Sequence, residues 1–210
     1  MNFWILDERN VWFKGAIEAA ARAGHRGHRI QRGEQAGEGI GFIRCHAIPE
    51  VLHRNHRDFE VMSSRCQMIQ DVHQVMLYED KSGQFDKWSR WMPDTWRFTD
   101  PDTAMAFAQT ADLPIVSKAD VGASSRNVRI LTHRDQLERH IELAFGPGIE
   151  VHHCAGGFKN RQKGYLLLQR FIPHEVTWRV NAIGEGRAIF KRYNYRDRPV
   201  AETGNVEPVM

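Results

Sequence analysis

A lysine closes the apolar run LPIVSK (113–118), and four small residues, Gly122, Ala123, Ser124 and Ser125, follow before a second apolar run begins at 127. Small residues let successive backbone N–H groups converge on one anion, and serine hydroxyls add further donors. An ammonium beside such a loop supplies the compact charge that phosphate oxygens take up. A lysine leaving a strand is also often simply solvated, and a loop of this composition also makes a plain hairpin, so both readings fit these residues. The pattern G-x-x-x-x-G-K-[ST] is not met, because Lys118 precedes the glycine and a strand, not a helix, is expected after the loop. The eleven histidines do not suggest a metal site. HRGH (25–28) and HRNH (53–56) pair histidines three apart with no cysteine or carboxylate at ligand spacing, and His152 and His153 would leave opposite faces of a strand. Cys45, Cys66 and Cys154 are odd in number and lack metal spacing, as expected of a reduced intracellular chain.

Alternating strands and helices must position the lysine and its loop. FWILD (3–7) reads as a short buried strand, and Asn10 could cap the alanine-rich helix of 11–24 that ends at Gly24. HRIQRG (28–33) and GIGFIRC (39–45) read as strands, and IPEVLHRNHRDFEVM (48–62) as a helix. This alternation favours an α/β layer with parallel strands. At 78–93 the chain turns polar and aromatic, a plausible boundary. Beyond it, 100–111 and 132–146 carry helix-start signals, Asp or Thr caps ahead of helical apolar spacing. Strands are expected at 113–117, 127–131, 165–172, 176–183 and 187–193, the last two facing each other across GEG (184–186). The second half therefore reads as α+β with an antiparallel sheet.

The 210 residues, 41% hydrophobic, suffice for one large or two small domains with true cores. A net charge of +3 with interspersed signs is a mild bias toward anionic ligands and carries no specific nucleic-acid signal. No run approaches membrane-spanning length and MNFWILDERN holds no signal-peptide core, so a cytoplasmic protein is expected.

Three ordered segments resemble the ATP-grasp superfamily, in particular the branch of ribosomal-protein glutamate ligases and related carboxylate–amine ligases. YEDKSGQ…MPDTWRF (78–98) is similar to its y-x-D-K entry and P-x-T strand, and PIVSKADVGASSRNV (114–128) to its P-x-V-x-K strand and flexible glycine-rich loop. YLLLQRFIPHEVTWRVNAIGEGRAIFKRYNY (165–195) is similar to its hinge followed by D-x-R-x-x-x-[IV]-G and a later arginine. The likeness covers about 78–205, and residues 1–77 only as a generic α/β pre-domain. It implies a Rossmann-like pre-ATP-grasp layer over 1–77, followed by ATP-grasp antiparallel-sheet subdomains over 78–210.

The resemblance also implies roles. Lys81 and Lys118 would contact the ATP phosphates from the two flanks of a cleft, and Gly122, Ala123, Ser124 and Ser125 would form the lid. Lys87 competes with Lys81 for the first role. Gln169, Arg170, Phe171 and Ile172 would form the hinge, whose backbone reads adenine while apolar side chains flank its ring; Arg170 stands where the family usually has an acid. Phe171 and Ile172 could equally be sheet core. Glu175 is the candidate for the ribose hydroxyls, against an exposed strand-end carboxylate. Arg179 and Arg192 would face the reacting centre, where guanidinium groups suit carboxylate or acyl-phosphate oxygens; a structural ion pair and a solvated basic face are their alternatives. The partners implied are ATP, a carboxylate and an amine, in the cytoplasm, or the host cytoplasm if the chain is viral, since some relatives of this branch are phage-encoded.

The family also binds magnesium, through an aspartate and an E-x-N-type pair on late strands. Here the turn AETGNVEP (201–208) stands where those strands should follow, and no later D…E-x-N pattern occurs before Met210. The sequence assigns no metal ligand. A shortened ligase, a partner chain that completes the site, a homo-oligomer, and a non-catalytic remnant with an assembly role all remain open.

Overall fold

The first apolar run, NFWIL, lies at the middle of a sheet. The computed structural model describes residues 1–7, 13–44, 49–77, 80–120, 127–152, 159–182, 186–194 and 208–209. They belong to two compact units, Met1–Asp80 and Lys81–Met210.

In the first unit, β1 (Asn2–Leu6) is flanked by β2 (Arg26–Ile30) and β3 (Gly39–Ile43), with β4 (Cys66–Met68) outside β3; every pairing is parallel. Side-chain alternation sends Phe3 and Gly27 to one face, and Trp4, Leu6, His28 and Ile30 to the other. Helix α1 (Phe13–Arg22) covers the first face at close range: a Cβ on Gly27 would lie 2.9 Å from the Ile17 Cα. Helix α2 (Pro49–Ser63) covers the second, packing Phe59 and Met62 with Leu6, Ile30 and Ile43. Trp4 and His28 stack at 4.3 Å between ring centroids. Helix α3 (Val72–Met76) starts at a capping box in which Asp71 accepts from the Gln74 N–H. Burial holds the Cys66 thiol above its usual pKa, against the opposing pull of Arg65, and the thiol donates to the Gly37 carbonyl at 3.0 Å. Asn10, the expected cap of α1, and the histidines 152 and 153 as a side-chain pair lie outside the described residues.

The second unit opens with α4 (Lys81–Trp88), followed by β5 (Thr95–Phe98), α5 (Pro101–Thr110), β6 (Ile115–Lys118), β7 (Val128–Leu131), α6 (Arg134–Phe145), the hairpin β8 (Ile149–His152) and β9 (Lys159–Gln162), and β10 (Leu166–Arg170). Strands β5, β10, β6 and β7 form one antiparallel sheet in that order. Its core face carries Ile115, Leu131, Leu166 and Leu168 against Ala104 and Ala108 of α5 and Leu137, Ile141 and Ala144 of α6. Asp100 caps α5 as expected, accepting from the Thr103 N–H at 2.8 Å. Helix α6 differs: its N-cap is His133, without a side-chain cap bond, and Thr132 bonds to His133 and Gln136 instead. A separate antiparallel sheet pairs β11 (Val176–Ala182) with β12 (Ala188–Asn194), and β12 with β13 (Pro208–Val209).

Candidate functional site

The central sheet of the second unit places two kinds of residue on its two faces. Along β6, Ile115 and Ser117 point to the helices, whereas Val116 and Lys118 point away; along β10, Leu166 and Leu168 point in, and Leu167 and Gln169 out. Lys118 lies opposite Leu167 and Gln169 opposite Val116, so Lys118 and Gln169 are diagonal neighbours on the face away from α5 and α6. The Lys118 Nζ donates to the Gln169 Oε1 at 2.6 Å. Gln169, itself buried, donates its Nε2 to the Thr95 Oγ1 at 2.7 Å, and Thr95 donates to the Pro93 carbonyl at 2.7 Å. A line of hydrogen bonds thus crosses three strands and ends on the lysine.

Lys81, the first residue of α4, is held from the other side. Its Nζ donates to the Asp120 carbonyl at 3.0 Å. The Asp120 carboxylate accepts from the Ser82 N–H at 2.9 Å and the Ser82 hydroxyl at 2.8 Å, and also from the Tyr165 hydroxyl. The Asp120 N–H donates to the Gln162 Oε1 at 2.8 Å, and the Gln162 amide reaches back to the Tyr165 carbonyl. Asp120 therefore acts as a cap for α4 from a distant part of the chain, at an end where the helix dipole favours a carboxylate.

The two lysines sense each other. Burial is the larger cause that lowers the Lys118 pKa from its usual value, and the Lys81 charge adds to it. Two fixed cations at the end of one strand, one of them partly desolvated, form a natural seat for an anion with several oxygens. Directly behind Lys118, on the helix face, the buried Ser117 hydroxyl and His140 Nε2 share a hydrogen bond of 2.7 Å, and burial, with a smaller contribution from Arg129, lowers the His140 pKa to about 4.

The other expected site residues are spread further. Gly122, Ala123, Ser124 and Ser125 lie outside the described residues; the base of their loop is closed by the Ala119 N–H donating to the Asn127 carbonyl at 3.0 Å. Arg170 gives its N–H to the Asp94 carbonyl and its guanidinium to the Asp94 carboxylate at 3.0 Å, so both of these donors serve the strand end rather than a ligand. Phe171 is half-buried and Ile172 exposed just beyond β10, with the Ile172 carbonyl bonded to His174. Glu175 is exposed immediately before β11. Arg179 and Arg192 are exposed, but they do not share a face. Arg192 pairs across the hairpin with Trp178 and Arg179 with Lys191, so alternation turns the two guanidinium groups to opposite sides. This corrects the expectation that both face one reacting centre.

Sequence reasoning passed over Thr95, Asp120, Gln162 and Tyr165. Asp120 carried a usable signal, a carboxylate two residues beyond a strand-end lysine; Gln162 and Tyr165 carried none, because their partners are 42 and 45 residues away in sequence.

An antiparallel sheet is thus backed by two helices on one face and carries Lys118 on the other, with Lys81 at the start of α4 and a parallel-stranded unit earlier in the chain. The fold is the ATP-grasp fold, and the solved structures that share it include a RimK domain protein, synthetases and a macrocyclase. The chain superposes on the RimK domain protein ATP-grasp from Sphaerobacter thermophilus with a TM-score of 0.58 and 16% identity, covering 86% of this chain and 68% of that one. For N5-carboxyaminoimidazole synthetase from Staphylococcus aureus complexed with ADP the values are 0.60 and 11%, over 93% and 55%. For the macrocyclase MdnC from Microcystis aeruginosa, bound with the precursor peptide MdnA, they are 0.58 and 14%, over 99% and 77%. The chain thus spans between about half and about three quarters of the length of these structures. No protein-family model and no curated protein sequence matches it.

Proposed function

We propose that the chain binds ATP at the Lys118 end of the β5–β10–β6–β7 sheet, on the face away from α5 and α6, and belongs to an ATP-dependent carboxylate–amine ligase. The observation that carries this reading is the pair Lys81 and Lys118, each tied to a fixed oxygen, Asp120 O and Gln169 Oε1, and close enough for one charge to depress the other's pKa. Supporting it, the similar synthetase was solved with ADP, and another structure of this fold, a carboxyaminoimidazole ribonucleotide synthase, with ATP. In this reading the lysines hold the phosphates and residues 122–125 close over them. Phe171 and Ile172 flank the adenine, and Glu175 receives the ribose hydroxyls. The parallel-stranded first unit serves as the Rossmann-like pre-ATP-grasp layer.

The reaction has two steps. A substrate carboxylate oxygen attacks the γ-phosphorus of ATP, the bond to the β-phosphate oxygen breaks, and an acyl-phosphate and ADP result. An amine then attacks the acyl carbon, phosphate leaves, and the amide remains after the nitrogen loses a proton. Charge gathers on the transferring oxygens in both steps, which is where fixed cations act most strongly. Only one of Arg179 and Arg192 can face those oxygens, so one of the two alanine variants loses turnover and the other retains it.

No group of three or more His, Cys, Asp or Glu side chains is arranged to hold a metal ion among the described residues. Asp197, Glu202 and Glu207, the late carboxylates, lie outside those residues. The second reading, a non-catalytic member of the fold with an assembly role, draws on that observation.

Calorimetric titration of ATP with and without magnesium, combined with ADP-release assays, tests the proposal. The ligase reading expects ATP binding and magnesium-dependent ADP release, both weakened in Lys118→Ala. Binding without turnover favours the non-catalytic reading, and absence of binding to the folded chain overturns the nucleotide site itself.

A further inference from the structure

All four polar groups of Asp120 are engaged, and they reach three separate segments: α4, through Lys81 and Ser82; the end of β9, through Gln162; and the residue leading into β10, Tyr165. Asp120 stands two residues beyond Lys118, where the chain leaves β6 for the loop. From this we infer that Asp120 is a positioning residue that sets where Lys81 meets the phosphate chain of the bound nucleotide, an inference that rests on the nucleotide-binding reading above.

The geometry separates this role from general support of the fold. Asp120 adds nothing to the helix-backed core, whose members lie on the opposite face of the sheet. Its carbonyl fixes the Lys81 ammonium itself, and its carboxylate fixes the first turn of the helix from which Lys81 projects. Ammonium and helix start are thereby referred to a single residue on the Lys118 strand. Two cations repel, and without a fixed spacer Lys81 would relax away from Lys118 on its flexible four-carbon stem. A phosphate chain that spans both lysines needs the two charges at a set separation, whereas a single phosphate can be held by one of them. Asp120 therefore governs discrimination by phosphate-chain length, and Ser82 and Tyr165 act through it.

The test compares ATP and AMP affinities by calorimetry for wild type, Asp120→Asn, Ser82→Ala and Tyr165→Phe, with thermal unfolding of each. For Asp120→Asn we expect ATP affinity to fall about tenfold while AMP affinity stays within about twofold, and a smaller loss of the same selectivity, about threefold, for Tyr165→Phe. Equal weakening of both nucleotides, or no change in either, overturns the positioning role. Should Asp120→Asn not fold, Tyr165→Phe and Ser82→Ala decide the question by the same selectivity. A wild-type chain that binds neither nucleotide removes the underlying reading and this inference together. A wild type that binds ATP, beside folded variants with unaltered selectivity, removes only the inference.

Discussion

On one face of the β5–β10–β6–β7 sheet, Ile115, Leu166 and Leu168 are sealed under α5 and α6, and a polar pair there, Ser117 with His140, is closed upon itself. On the other face the same strands present Val116, Lys118, Leu167 and Gln169, with Thr95 beside them, and the polar groups are chained toward a lysine. One residue step along β6 separates the two environments. The contrast shows how an antiparallel strand carries stability and ligand chemistry at once: alternate side chains answer to different neighbours, so the two faces respond to different perturbations.

The largest effect should come from the helix face. Leu168→Ala removes a fully buried side chain and should lower unfolding free energy by about 2–5 kcal/mol, read by urea denaturation, with ATP affinity of the folded protein kept near wild type. A comparable loss of affinity would mean that the two faces are not independent.

Acid should act on the same face. His140 has its pKa lowered to about 4 against an ordinary 6.5, so the folded state resists the proton that the unfolded state accepts. Its stabilisation is fully present above about pH 6.5 and is lost as pH falls toward 4, by up to about 3 kcal/mol. Unfolding midpoints at pH 7 and pH 4.5, compared with a Ser117→Ala/His140→Leu double variant, should show a smaller acid loss in the variant. Parallel curves would place the acid sensitivity elsewhere.

The face that carries Lys118 should behave in the opposite way. Lys118→Ala should weaken ATP binding by about 1.5–3 kcal/mol, the loss of a charge-assisted contact, while changing stability little, because removing a desolvated ammonium offsets the broken bond to Gln169. Calorimetry and denaturation on the same preparation give both numbers. A marked loss of stability with ATP affinity intact would assign Lys118 to the fold rather than to a ligand.

The smallest effect is alkaline. Because the Lys118 pKa is lowered, ATP affinity should begin to fall at a pH below the usual lysine range, and Lys118→Arg, which stays charged, should flatten that decline. Affinity measured across pH 7–10.5 distinguishes the two profiles. Identical slopes would mean that another group titrates.

Much of this arrangement was legible from local sequence. The apolar runs located β1, β3, β6 and β10 within two residues or so at most ends, because a buried strand needs little besides its own apolar residues, and the glycine-rich turn located the exposed β11–β12 pair. Lys118 stood out for the same reason, as a charge closing such a run. Helix α4 did not: KSGQFDKW is polar, holds a glycine, has no buried residue and takes its cap from Asp120, 38 residues away, which no local window contains. Strand β9, KNRQ, has no alternating pattern and exists through its hairpin with β8, while three-residue β4 is held by the edge of β3. The split of Arg179 and Arg192 required cross-strand register, which depends on the turn between them.

The line of donors from Lys118 to Pro93 has a direction. An ammonium only donates, so the Gln169 carbonyl oxygen must face it, its NH2 must face Thr95, and the Thr95 hydroxyl must donate onward to Pro93. The residue choices at 95, 118 and 169 are therefore written in one grammar. Placing an acceptor at 118 would require the Gln169 amide to turn over and the Thr95 hydroxyl to reverse, and valine at 95 would leave that amide without a listener. A redesign of this strand face therefore changes the three positions as a phrase rather than letter by letter.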